Sequence, residues 1–522
     1  MASILIPPWI QPQAESVTLV DDSTSVFRGA YAPGVAQRVS YVEPRLQVKQ
    51  SFKSLRAQDR ALMLSALKRA QGKFGTVRAA VGYALRGSFP TGELMPNPTF
   101  ANGTTGVSAF SSTTLSVTDR ILRAKATAAQ GQRPAFFQNA TVTPFVPYVG
   151  RAVLNGFSGF SLTFQTVDPQ VSKTTAGAVG MNALSFVPLQ SPMSVELFNS
   201  SIAGAVAGSY ADVSFMSIAQ CALVDGGVNL VSHSDDFDNA YWTKVNGTIT
   251  PNNTIAPDGT QTADAITETT ATGQHEIDAS SKISCSAATN LDYCLTIAIQ
   301  GGLRSWMEVL LNEDTGSSSL GCYINLSTGA LGTTFTGTNW ANLRTSVSSL
   351  GNNWWQLSIV GTKTSVATTL SIRLLLATAN GTNSYTGSSS SVAASVWRAT
   401  VAQSSVPCQL TQTTGSVITA SPLSAGGIDV KGLPASTNGL LLVDDLVEIN
   451  GELKSVTASL DSDGNGLGFL SFAPAMSKMP NDNDPVVITQ PFGKFILADN
   501  ASWTNDYGVY ADVDIALEAI VE

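Results

Sequence analysis

A mainly β architecture is predicted by three features of this 522-residue chain. Charged residues make up only 13% of it, and Ser, Thr, Gly and Asn crowd the polar positions, as in many-turned β structure with hydroxyl-rich exposed faces. One segment alone carries a convincing helical period. Short alternating runs of apolar and polar residues, punctuated by Gly, Asn and Pro turns, fill the rest. A chain this long exceeds what a single core organises, and about three or four domains are expected.

Residues 1–91 hold the helical segment. SLRAQDRALMLSALKRAQG offers Ser54 as an N-cap, sets Leu55, Leu62, Ala66 and Ala70 along one face, and stops at Gly72. Extended segments between Gln37 and Ser51 precede it and the strand-like FGTVRAAVGY follows, so a small α+β unit with one helix on a sheet is expected. Residues 92–226 lose the helical period and read as a first β-sandwich. MPNPTFANGTTGVSAF opens it, LSVTDRILRAKAT supplies a strand pair turning at Asp119 and Arg120, and YADVSFMSIAQCALV closes it. Residues 227–406 read as a second sandwich, entered through SDDFDNAYWTK and left through ASVWRATVAQSS, similar in kind to the first. Residues 407–522 form a further β unit of short strands: GIDVKGLP, LVEINGELKSVTA, GLGFLSFAP and DPVVITQPFGKFIL. Its last strand alternates Val513, Ile515 and Leu517 against Asp512, Asp514 and Glu518.

Composition also excludes function classes. Net charge is −9, and with so few Lys and Arg nucleic acid is not the expected partner, because phosphate affinity grows with the number of cationic contacts. No run of about 18 apolar residues indicates a membrane span. MASILIPPWIQPQAES has no basic n-region and is broken by Pro7 and Pro8, so export by a signal peptide is not expected. The five cysteines, Cys221, Cys285, Cys294, Cys322 and Cys408, form no CxxC pair and are expected as small buried hydrophobes. An adhesin-like composition made in a reducing compartment suits a virion component released by lysis.

Three segments carry a resemblance. SDDFDNAYWTKV with APDGTQTADAITE, continued by GGLRSWMEVLL and NNWWQLSIVGT, resembles the carbohydrate-binding-module-like jelly roll of phage tail proteins; Trp355 stands where that family has Tyr, and Asn353 where it has Gly. GLPASTNGLLLVDDLVEINGELKSVTA through PVVITQPFGKFILA is similar to the end of tail proteins of long-tailed phages. FRGAYAPGVAQRVSYVEPRLQV, with the helix after it, resembles the belt-forming domain of the distal tail protein family. The resemblance implies one split scaffold, residues 1–91 with 407–522, carrying two tandem inserted jelly-roll-like sandwiches. It further implies a structural virion protein in a ring, expected as a hexamer, that joins tail tube to hub and tip, with host-surface glycans as partners of the inserted modules. The competing expectation is a trimeric receptor-binding tail fibre or spike, and behind it a polysaccharide depolymerase.

Sugar recognition needs aromatic faces and planar polar groups. Arg304, Trp306, Trp340 and Trp354 are the candidate ligand-binding residues, with Trp355, Trp397 and Tyr385 nearby in sequence. Alternation on NNWWQLSIV sends Trp355, Leu357 and Ile359 to the core and Trp354, Gln356 and Ser358 outward. Trp306 shares a face with Arg304 and Glu308, and Trp242 is expected in the core. DSDGNG at 461–466 imitates a calcium loop but has Phe472 where an EF-hand needs an acidic ligand. Asp258 and Asp264 are the better structural-calcium pair, against an Asx turn at APDGT; no cofactor and no catalytic metal are expected. His233 and His275 lie near no nucleophile motif, a carboxylate pair such as Glu308 with Glu313 stays open as a glycosidase dyad, and no enzymatic activity is expected.

Overall fold

The structure, a computed structural model, describes residues 4–6, 10–20, 25–27, 37–39, 45–69, 76–82, 85–110, 112–127, 135–158, 162–167, 172–199, 207–279, 282–314, 318–419, 426–497 and 510–519. Ala70 and Gly72, residues 28–36 of the belt-like segment, and the Asp512 side chain lie outside what it describes. The fold is mainly β: one α-helix, Ala57–Arg69, stands among strands in the described residues.

Both ends of the chain build one six-stranded sheet, in the order Ile4–Leu5, Val77–Ala80, Phe492–Leu497, Tyr510–Ala519, Arg45–Arg56, Ala14–Val20. Long-range pairs such as Val48 with Leu517 and Val77 with Phe495 tie the ends together. Val513, Ile515 and Leu517 are buried and Asp514 is exposed, following the alternation of that strand. The helix differs from the expectation at its start. Arg45–Arg56 runs as strand straight into Ala57, and Ser54 sits inside it at φ 54° rather than capping the helix. Its buried face is Met63, Ala66 and Leu67, while Leu62 is only half-buried, because the helix lies across the sheet with Leu55 still belonging to the strand beneath.

Two five-stranded sheets form the first sandwich. One is ordered Ser172–Ala176, Leu162–Val167, Met193–Asn199, Ala135–Ala140, Ser108–Ala109; the other Gly180–Phe186, Tyr148–Ser158, Tyr210–Gln220, Ile121–Ala126, Thr113–Thr118. Phe136, Val195 and Leu197 meet Leu122, Val213 and Ile218 between them. The hairpin Thr113–Thr118 to Ile121–Ala126 turns on Asp119 and Arg120 at φ 51° and 59°, the left-handed pair that suits the twist of two-residue hairpins.

The second sandwich packs a seven-stranded sheet on a six-stranded one. The first runs Thr243–Val245, Glu276–Asp278, Thr369–Ala377, Trp306–Glu313, Ser318–Asn325, Leu331–Thr336, with Ile283–Ser284 beside Thr369–Ala377. The second runs Gly247–Thr254, Ala263–Glu268, Val392–Ala402, Leu291–Gly301, Trp354–Lys363, Trp340–Gly351. Met307, Val309 and Leu311 face Leu295, Ile297 and Ile359 in an apolar core that also takes in Trp242, whose indole N–H donates to the His233 carbonyl at 2.9 Å.

The segment after the second sandwich divides between two bodies. Gly427–Lys431, Leu446–Ile449, Glu452–Val456, Gly468–Ala473 and Pro485–Val487 close a barrel with Ala222–Val224, which leaves the end of the first sandwich to do so. The remaining strands return to the six-stranded sheet. Asn450 and Gly451, at φ 49° and 79°, make the two-residue turn of one barrel hairpin. Buried Lys431 ties the barrel to that crossing, reaching Asp482 at 2.7 Å and Asp225 at 3.9 Å. All five cysteines are free, and Cys285 alone of them is not fully buried.

Candidate functional site

The outer face of the seven-stranded sheet gathers the groups that sugar recognition calls for. Period two along Trp306–Glu313 sends Met307, Val309 and Leu311 into the core and turns Trp306, Glu308, Leu310 and Asn312 outward. Register then places their neighbours. Glu308 lies between Tyr323 and Leu375, and Leu375 beside Glu276; Leu310 lies between Gly321 and Arg373, and Gly321 beside Phe335. Gly321 lets the strands close up at this point of the floor, since a Cβ there would meet the Val309 carbonyl at 2.1 Å and the Leu310 side chain at 2.9 Å.

The floor is polar and tightly held. Asn383 donates from Nδ2 to Glu308 at 2.5 Å, Arg373 forks onto Glu276 at 2.5 and 2.7 Å, and the Tyr323 and Phe335 rings lie 5.7 Å apart. Burial, reinforced by the neighbouring Glu308 carboxylate, pushes the Tyr323 hydroxyl up to about 12, so it stays a neutral donor. Trp306, Phe335, Arg373 and Asn383 are half-exposed around buried Glu308, Tyr323, Leu375 and Glu276. Asn380 stands at the Trp306 end, where its Oδ1 accepts from the Thr333 N–H at 2.9 Å and, like the Trp306 ring, would obstruct a Cβ at Gly332. What this face leaves partly accessible is the Trp306 and Phe335 rings, the Arg373 guanidinium and the Asn383 amide, above carboxylates that Arg373 and Asn383 already hold, a set of aromatic and planar polar groups of the kind that meets sugars. Glu313, on the opposite side of the strand from Glu308, accepts from Asn339 at 2.7 Å and Ser365 at 3.0 Å. These two carboxylates do not flank one substrate.

Arg304 is not available to a ligand as expected. Its guanidinium forks onto Glu268 at 2.7 Å through both Nε and Nη2, and lies 4.5 Å over the Tyr385 ring. Glu268, whose side chain is 0% exposed, also accepts from the Tyr385 hydroxyl and, at 3.0 Å, from the Ser388 N–H. Burial alone would raise this carboxyl; hydrogen bonds from Arg304, Tyr385 and Ser388 override it and hold the group below its ordinary range. Arg304 lies in a bend ahead of its strand, so its direction comes from this clamp and not from the alternation that placed Trp306.

Trp340 and Trp354 are corrected more strongly. Trp340 is 4% exposed, belongs to the sandwich core, and donates its indole N–H to the Ser318 carbonyl at 3.1 Å. Trp354 does leave the core on the outward side of its strand, yet is 1% exposed. With Trp397, Ala256, Ala263 and Ala298 it forms a second small core, and its indole N–H donates to the Ile255 carbonyl at 3.0 Å. The loop after Gly247–Thr254 and the post-sandwich linker, through Leu410, cover this face. Trp355 faces the main core, half-buried, its N–H on the Leu326 carbonyl at 2.9 Å.

The calcium-like loops are turns. Asp258 accepts from the Thr260 N–H at 2.9 Å and from its hydroxyl at 2.6 Å, an Asx turn. Asp264 points elsewhere, accepting from the Phe237 and Asn252 N–H groups at 2.9 Å each. Asp463 Oδ1 likewise accepts from Asn465 at 2.8 Å and Leu467 at 2.9 Å. No group of three or more His, Cys, Asp or Glu arranged for a metal occurs among the described residues. Tyr323, Phe335, Arg373, Glu276 and Asn383 were not singled out from the sequence. Alternation could have put Tyr323 outward, but bringing it beside Glu308 requires the strand register.

No protein-family model matches the chain. A search of curated proteins returns no match. Among solved structures, a Paenibacillus xanthan lyase overlaps at TM-score 0.18 and 12% identity, over 64% of this chain and 34% of that one. The M60 catalytic domain with two CBM51 domains of Clostridium perfringens ZmpB overlaps at 0.16 and 8%, over 53% and 34%. The tandem CBM51 modules of a Streptococcus pneumoniae family 98 glycoside hydrolase overlap at 0.15 and 9%, over 58% and 99%. This chain thus spans about a third of the length of the first two. Superpositions this partial carry no argument, and the sandwich description rests on the strand pairing above.

Proposed function

We propose that the chain is a structural protein of a bacteriophage tail tip, of the distal-tail kind, and that its second sandwich meets host-surface glycans through the face floored by Glu308. The observation that carries the reading is the six-stranded sheet: strands from both chain ends complete it, while two sandwiches and a barrel occupy the sequence between. An insertion design of this sort leaves one body to assemble and the others to project. The resemblance of both flanks to tail proteins gives that body its role, a sixfold ring between tail tube and tip within the virion. Sixfold display would let individually weak sugar contacts act together through avidity.

Electron microscopy of the purified protein and of tails bearing it tests the assembly: sixfold rings on the tail axis are expected, and a threefold spike would replace this reading with a receptor-binding fibre. Glycan retention is tested separately, on immobilised envelope polysaccharide. Wild-type protein should be retained and Trp306→Ala released; shortening of the polysaccharide by purified protein would overturn the non-catalytic reading.

A further inference from the structure

The charges on the outer face of the seven-stranded sheet restrict which glycans can settle there. Register fixes where those charges stand. Asp278 lies beside Arg373, and Arg373 beside Leu310, while Glu276 and Glu308 flank Leu375 one step along the same face. Glu276, Asp278 and Glu308 thus share a patch with Arg373, the one cation that the described strands turn to this side. Lys282 precedes Ile283–Ser284, which pairs with Leu370 and Thr369, at the end of that strand remote from Trp306.

Arg373 is not a counter-ion left over for a ligand. Its Nε and Nη2 fork onto Glu276, while its side chain stays 29% exposed. The hydrogen-bonded Glu276 carboxylate, with Asp278 and Glu308 adding to it, keeps the guanidinium charged against burial. Nη1 makes no hydrogen bond among the described residues and can donate to the oxygen of a sugar hydroxyl. Asp278 is half-exposed beside it, whereas Glu276 and Glu308 are buried. A carboxylate on a ligand seated over Trp306, Phe335 and Arg373 would therefore meet Asp278 at the surface and two more negative groups beneath. The net charge of −9 adds to that repulsion. We propose that this face takes uncharged glycans and turns away those that carry carboxylates, with Asp278 as the residue that sets the choice. The proposal rests on the reading of the face as a glycan surface. A neutral sugar meets the same groups without repulsion: rings for its apolar side, the Asn383 amide and Arg373 Nη1 for its hydroxyls.

The test uses the full chain on immobilised mannan, galactan and glucan, each as the neutral polymer and after oxidation of its primary alcohols to carboxylates. For whichever neutral polymer is retained, the oxidised form should bind at least about tenfold more weakly at low salt, the order expected of like charges close together near a protein surface. In about 1 M salt, where screening acts within ~3 Å, that gap should narrow. Asp278→Lys should narrow it at low salt, and Asp119→Lys, the same change of charge on a hairpin tip of the first sandwich, should leave it as in wild type. Equal binding of neutral and oxidised polymer by wild type, a gap indifferent to salt, or a gap that Asp119→Lys narrows as much as Asp278→Lys would each overturn the inference and leave the glycan reading in place. Retention of none of the polymers would remove the glycan reading, and this inference with it. The wild-type comparison needs no variant, so it decides the matter even where a substitution prevents folding.

Discussion

On the outer face of the seven-stranded sheet Trp306 stays half-exposed, whereas on the outer face of the six-stranded sheet Trp354 and Trp397 are closed over by a loop and a linker. Each face turns an indole away from the same core, by plain alternation at Trp306 and Trp354 and ahead of a bulge at Arg398 for Trp397. What separates them is what lies above. Leu410 belongs to the linker that continues into the barrel, so the six-stranded sheet is roofed by the connection to the next body, and its tryptophans become a second core. On the seven-stranded sheet Trp306 keeps partial exposure among the described residues, and the polar floor beside it is held together by its own side chains. An outward tryptophan marks a candidate contact only where no neighbouring segment finishes its burial.

The largest effect should come from breaking the covered face. Trp354→Ala should cost about 3–5 kcal/mol, the range for emptying a buried aromatic site, read as a lower thermal midpoint with sugar retention unchanged. A cost near zero would mean the roof does not bury this residue in solution.

Next is the clamp at the edge of the open face. Arg304→Ala leaves Glu268 buried without its cation and should cost about 3 kcal/mol. The sign with pH is diagnostic. Because the Glu268 carboxyl is held low in the fold, its contribution is present above the ordinary carboxylate range and lost as pH falls through the depressed value. Acid unfolding of Arg304→Ala should accordingly begin at higher pH than in wild type.

Asp264 gives the opposite slope. Burial pushes its carboxyl up to about 6, against the two backbone N–H groups that favour the charged form. Between the ordinary value near 4 and about 6 the folded protein holds a proton that the unfolded chain has released, so this group's contribution declines as pH rises through that window. Asp264→Asn should flatten the decline while costing about 1–2 kcal/mol for the displaced backbone hydrogen bond. Denaturant titrations at pH 4, 5 and 6 read both effects.

The smallest structural effect belongs to Trp306→Ala, expected within about 1 kcal/mol of wild type because the ring is half-exposed. A thermal midpoint as low as that of Trp354→Ala would erase the distinction between the two faces.

Much of the architecture was legible beforehand. The Asp119–Arg120 hairpin, the alternation of the last strand and the outward side of Trp306 all follow from local period and turn chemistry, which act within a few residues. The helix start was misplaced because Ser54 has the chemistry of a cap, while pairing across the sheet, with Leu55 opposite Ala511, keeps the chain extended past it. The clamp on Arg304 was not legible because its partner, Glu268, lies 36 residues earlier, in another strand. Trp340 and Trp354 were misjudged for one shared reason: exposure depends on what the rest of the chain lays over a strand, and a strand's own sequence does not record that.

By itself, then, the sequence determined a β-rich chain with one helix, the direction each strand residue takes and the turns that join hairpins, since these are properties of short segments. Tertiary structure decided that strands from both ends share one sheet, that Ala222–Val224 completes a barrel, and that Glu308, Tyr323 and Phe335 lie on one face while Trp354 lies under a roof. Those outcomes depend on register and covering between residues far apart in the chain, and the free energy that selects them exists only once the distant surfaces have met.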